Sequence, residues 1–149
     1  MSKDFKEYVD KLQKRILTED IEDHNEKIVN LFHNPINWGK PSKEDITISE
    51  ERRGGPKNYF LGLYLKIEDE KITKANFITD GCGVMIATGC QTTILIENKS
   101  LDYAENLKSD DIEEALMGLP KEEKHCVLLA IETLKNLINK YKKKYTKYS

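Results

Sequence analysis

"YFLGLYLKIEDEKITKANFITDGCGVMIATGC" runs from Tyr59 to Cys90 and decides the fold. Leu61, Leu63, Leu65 and Ile67 recur at every second position, so one face of an extended strand is apolar. Asp69–Glu70 reads as a tight turn into a second strand, where Ala75, Phe77 and Thr79 share a face. At Asp80 the period changes. From Gly83 onward Val84, Ile86, Ala87, Ile94 and Leu95 follow helical spacing. The join between sheet and helix is Asp80-Gly81-Cys82-Gly83.

Upstream, "ITIS" (46–49) alternates as a short third strand, and "EERRGGPKN" (50–58) reads as a loop for its two glycines and proline. "NPINWGKPSKED" (34–45) is a second loop. Two helices are expected before it. Residues 4–17 place Phe5, Tyr8, Val9, Leu12 and Ile16 on one stripe. A second helix, with Thr18 or Asp20 as N-cap, carries Ile21, Ile28, Leu31 and Phe32 and ends near Asn34, because Pro35 disfavours helical geometry before it.

Downstream everything reads as helix. Ser100 caps "SLDYAENL"; Asp110 and Glu113 have capping-box spacing, and Gly118 is a stop. After Leu119–Pro120 the last helix starts near His125 with Val127, Ala130, Ile131, Leu134, Leu137, Ile138 and Tyr141 inward. Met85 and Met117 are assigned to the core. Strands followed by helices give an α+β domain: a small three-stranded antiparallel sheet with helices packed on one face. Residues 1–20 are an N-terminal helical extension, 21–142 the domain, and 143–149 a basic, frayed tail.

The chain has 149 residues, enough for one core, with 38 % hydrophobic and 34 % charged residues, outside the disordered range. A net charge of −2 argues against nucleic acid or membrane as partners. No apolar run approaches the roughly 20 residues that span a bilayer. "MSKDFKEYVDKLQKR" lacks the apolar core of a signal peptide, so a cytoplasmic location is expected. Three widely spaced cysteines without an export signal read as free thiols or metal ligands rather than disulfides.

Three pieces carry candidate chemistry. Cys82 sits between two glycines at a helix start, where unpaired N–H groups and the macrodipole favour thiolate. His125-Cys126 opens the last helix and adds an imidazole and a second thiol. Gly54-Gly55-Pro56-Lys57-Asn58 is a glycine-rich loop before the long strand. For Lys57 two readings stand, a solvated loop lysine or a cation that lowers nearby thiol pKa values. Cys90 lies eight residues after Cys82, about 12 Å along a helix, and reads as a buried small hydrophobe. His24 and His33 read as surface or core residues rather than ligands.

"HNPINWGKP" (33–41), "YLKIEDEKITKANFITDGCGVMIATGCQTT" (64–93) and "GLPKEEKHCVLLAIETL" (118–134), in that order, resemble the iron–sulfur cluster scaffold family, the IscU type or NifU N-terminal domain. The resemblance covers roughly residues 22–142. It implies a scaffold, not an enzyme, that takes sulfur from a cysteine desulfurase, takes iron, builds a [2Fe–2S] cluster and passes it to recipient apo-proteins. The usual ligand set is three cysteines plus a histidine or aspartate. Cys82 matches the second family cysteine; His125 and Cys126 match the histidine and the third cysteine, the usual persulfide acceptor. The first cysteine, in a Cys-Gly-Asp motif, is absent. An ungapped count back from Lys66–Ile67 puts Lys57-Asn58-Tyr59 there, so Lys57 and Tyr59 are diverged ligand positions.

With Cys82, His125 and Cys126 alone, a cluster needs a further ligand from a partner subunit, a small thiol or another chain across a dimer. The alternatives are a diverged paralogue that binds assembly partners without holding a cluster, and a Zn²⁺ site on Cys82, Cys126 and His125. The family's Leu-Pro-Pro-Val-Lys segment, bound by an Hsp70-type chaperone, reads Leu119-Pro120-Lys121-Glu122-Glu123 here, so that interaction is not expected.

Overall fold

A computed structural model describes residues 25–145. The elements are α1 (Glu26–His33), β1 (Ile48–Gly54), β2 (Tyr59–Glu68), β3 (Lys71–Thr79), α2 (Gly83–Ile96), α3 (Leu101–Glu105), α4 (Ser109–Ala115) and α5 (Lys124–Tyr145). Single 3₁₀ turns at Lys43–Asp45 and Lys121–Glu123 precede β1 and α5. The sheet is antiparallel in the order β1-β2-β3, as the alternating patterns predict. The expected helix over 4–17, the caps Thr18 and Asp20, Ile21, His24 and residues 146–149 lie outside the described residues.

Leu61, Leu63 and Leu65 are fully buried in the central strand, and Phe77 and Ala75 pair beside them from β3. Each such leucine contributes about 1.5–3 kcal/mol of burial. α2 and α5 lie on this face. Ten of the fourteen residues of α2 are buried, because the helix is enclosed by α1, β3 and α5. The contact with β3 is close: a Cβ on Gly89 would stand 2.5 Å from the Phe77 ring, so only glycine fits. Thr88 and Thr92 are tolerated inside because their hydroxyls donate to the carbonyls four residues earlier, at 2.7 Å each. Cys90 is fully buried, as expected, and its sulfur accepts from the Ile36 N–H at 3.2 Å.

Several expectations are corrected. β1 begins at Ile48 rather than Ile46 and continues through Glu50–Gly54, the stretch read as loop; only Gly55–Asn58 turns. The charges hid the strand. Glu50 and Arg52 lie on the helix-covered face and satisfy their tips with Lys140 and Glu132 of α5. The helix before the first loop starts at Glu26, with extended Asn25 as its N-cap, so it does not run unbroken from Ile21. Asn25 Oδ1 accepts from the Ile28 N–H, while its amide nitrogen donates to the carbonyls of Leu116 and Gly118. α4 is closed by Asp111 accepting from the Lys108 N–H at 2.8 Å, not by Asp110 and Glu113. Met117, with φ at +65°, is 75 % exposed rather than core. α5 runs to Tyr145, three residues into the segment assigned to the tail. Ser100 caps α3 as expected. Among the described residues no helix is long and apolar enough to cross a membrane.

Candidate metal centre

The start of α2 is set by Asp80. One carboxylate oxygen accepts from the Phe60 N–H at 2.8 Å and the other from Arg53 at 2.9 Å. These contacts, the N–H first, hold the Asp80 carboxyl below its usual range. They tie the end of β3 to the opening of β2 and fix where the chain turns into Gly81-Cys82. Cys82 then takes extended geometry as the N-cap of α2 and is partly buried.

Cys126 occupies the first turn of α5 and is fully buried. The 3₁₀ turn before it delivers Glu123 to the same spot. The sulfurs of Cys82 and Cys126 and a carboxylate oxygen of Glu123 lie within 4.8 Å of one another. His125 borders this group. Its Nδ1 is 3.9 Å from the Cys126 sulfur and its Nε2 is 3.8 Å from the Glu123 oxygen. Among the described residues, Nε2 is buried without a hydrogen-bond partner. Gly55, at φ +76°, leaves room for the imidazole: a Cβ there would be 3.3 Å from Nδ1.

The two thiols have opposite electrostatics. Cys82 is pulled down to about 4, first by its interaction with the Cys126 side chain, then by the Tyr59 hydroxyl and the N–H groups of Met85 and Val84. Burial works against this and loses. Cys126 is pushed up by the Cys82 sulfur beside it, by desolvation, and by the charges of Cys82 and Glu123; its thiol contacts a Glu123 carboxylate oxygen at 4.0 Å. Lys57 opposes that rise at Cys126 as the weakest of these influences. Tyr59, hydrogen-bonded to Cys82, is itself raised to about 12. Its ring lies 5.8 Å from the His125 ring and 6.0 Å from the Lys57 ammonium. The two sulfurs are thus coupled, with Cys82 the more acidic and Cys126 the less.

The structure therefore brings Cys82, Cys126, Tyr59 and Lys57 together and sets His125 beside the sulfurs. It leaves Cys90 and His33 elsewhere. Sequence reading missed Glu123. The run Lys121–Lys124 looked like solvated charge, yet Glu123 stands three residues before Cys126, a spacing that places two side chains on one side of a helix start.

Residues 23–148 match the family described as NifU-like N terminal domain. The chain is 36 % identical over 123 residues to the iron–sulfur cluster assembly scaffold protein IscU of Escherichia coli K12, covering 81 % of this chain and 95 % of that one. It is 34 % identical to the iron–sulfur cluster assembly enzyme IscU of Drosophila melanogaster, covering 90 % and 88 %. The fold is shared with the crystal structure of the N-terminal part of a nitrogen-fixing NifU-like protein from Brucella abortus, at a TM-score of 0.61 and 15 % identity, covering 86 % and 99 %. The chain belongs to the NifU-like N-terminal domain family.

Proposed function

We propose that this protein is an iron–sulfur cluster assembly scaffold, receiving sulfur and iron at Cys82, Cys126 and His125 and passing the product to apo-proteins. The observation that carries this reading is the meeting of Cys82 and Cys126, from two helix starts far apart in sequence, in a chain of this family. Its role is acceptance and hand-over of cargo rather than turnover. A cysteine desulfurase is the sulfur donor in this reading, a [2Fe–2S] cluster the cargo, and the cytoplasm the location, in keeping with three free thiols.

Sulfur transfer is electron-neutral. A thiolate of this chain attacks the terminal sulfur of the donor's persulfide. A new S–S bond forms, the donor's S–S bond breaks, and the donor cysteine leaves as thiolate. The sequence resemblance points to Cys126 as acceptor. Burial favours Cys82 as the thiol that sulfur reaches first, because Cys126 has no exposed surface. Cys126 then serves as the inner acceptor once the site opens.

The test is anaerobic incubation with ferrous iron, cysteine, a desulfurase and a reductant that carries persulfide sulfur to sulfide, followed by visible absorption and iron content. The expected result is cluster absorption that is lost in Cys82→Ser. Absence of cluster absorption with all thiols shown to be reduced would overturn the self-contained scaffold.

A further inference from the structure

Lys57 stands where the resemblance places a thiol, so the question is what else can bind metal there. Among the described residues, Cys82, Cys126 and Glu123 form the one set of three metal-ligating side chains with ligand atoms this close. A tetrahedral ion with bonds of about 2.0–2.3 Å needs its ligand atoms about 3.3–3.8 Å apart, within reach of this set by small side-chain adjustment. Glu123 is only 15 % exposed, and its ion-pair partner among the described residues is His125 alone, with no lysine or arginine bound to it. The 3.8 Å from His125 Nε2 to the Glu123 oxygen is too long for a hydrogen bond, and Nε2 has no other partner. A mostly desolvated carboxylate beside a sulfur pair and an unsatisfied imidazole nitrogen is unfavourable until a cation arrives.

We propose that Glu123 supplies the ligand that Lys57 does not: a divalent transition metal is held by Cys82 Sγ, Cys126 Sγ and a Glu123 carboxylate oxygen, with a fourth position open beside His125. Two sulfurs and one oxygen suit borderline ions such as Fe²⁺ and Zn²⁺ and disfavour Mg²⁺ or Ca²⁺. Metal entry displaces the Cys126 proton, since only the thiolate binds. In the role proposed above, and resting on that reading, this ion is the first iron, and the open position is left for a ligand from outside the chain.

Anaerobic titration of the apo-protein with Co²⁺ tests the ligand set without requiring a cluster. Wild type is expected to show thiolate-to-cobalt charge-transfer absorption. Glu123→Gln keeps the shape and loses the charge; it should weaken Co²⁺ binding by at least about tenfold, the lower bound seen even for outer-shell losses. Glu123→Cys should bind at least as tightly as wild type, with charge-transfer intensity raised by about half as a third thiolate joins two. Unchanged affinity in Glu123→Gln, with native circular dichroism, overturns the proposal, as does a Glu123→Cys spectrum of unchanged intensity. Cluster assembly in both wild type and Glu123→Gln with equal Co²⁺ affinity would remove Glu123 and leave the scaffold reading standing. Glu123-dependent Co²⁺ binding without any cluster would do the reverse.

Discussion

The starts of α2 and α5 each present a cysteine to the same point, yet they build opposite thiols. Cys82 sits as the N-cap of α2, partly buried, with N–H groups, the Tyr59 hydroxyl and the Cys126 side chain lowering its pKa. Cys126 sits one turn inside the joined 3₁₀ and α5 segment, fully buried, with the Cys82 sulfur and the Glu123 charge around it. The difference teaches that a helix start alone does not make a thiolate. Position relative to the cap, solvent access and the neighbouring polar and charged groups decide it.

The largest expected effect is in alkylation. With limiting iodoacetamide at pH 7, peptide mapping should find Cys82 modified on the order of a hundredfold faster than Cys126 or Cys90, because both others require local opening. Equal labelling of Cys82 and Cys126 would break the comparison.

The pH profile sharpens it. An ordinary thiol with pKa near 8.5 gains about tenfold in thiolate per pH unit below that value. Cys82, held at about 4, should instead react at a rate that changes less than about threefold between pH 5.5 and 8. The linkage sign follows: the folded value lies below the unfolded one, so the Cys82 contribution to stability is present above the unfolded pKa and is lost as pH falls toward 4. A steep alkylation profile centred near 8.5 would contradict the depression.

Tyr59→Phe removes one of the groups turned toward Cys82 while keeping the ring beside His125. Alkylation of Cys82 at pH 5 should slow by about two- to fivefold, with little change at pH 8, since only the thiolate fraction is affected. An equal slowing at both pH values would mark a packing effect instead.

The smallest effect is expected at the loop that seats the imidazole. Gly55→Ala forces a side chain into left-handed backbone and presses on His125 Nδ1. It should cost about 1–2 kcal/mol in denaturant unfolding. Alkylation of Cys82 should stay within about twofold of wild type, since His125 is not among the groups that hold its pKa down. No loss of stability would show that the loop relaxes freely.

Much of this was legible before the structure. Period-two leucines fix β2, the period change at Asp80 fixes the strand-to-helix join, and Cys82 falls at that join. The resemblance brought His125 and Cys126 into the same site. β1 was not legible past Ser49, because Glu50 and Arg52 pack their stems under α5 and ion-pair at their tips, which a polarity pattern reads as loop. Glu123 was not legible as a site residue, because a glutamate in a charged run gives no sign of being turned inward. The unequal thiols were not legible either, since both cysteines follow the same local rule and differ only in tertiary surroundings.

The most direct measurement is desulfurase-driven sulfur transfer without iron, stopped at early times and read by peptide mass mapping. The account predicts added sulfur on Cys82 first, appearing on Cys126 only later, and strongly slowed acceptance in Cys82→Ser. Sulfur arriving on Cys126 at the wild-type rate in Cys82→Ser would contradict it.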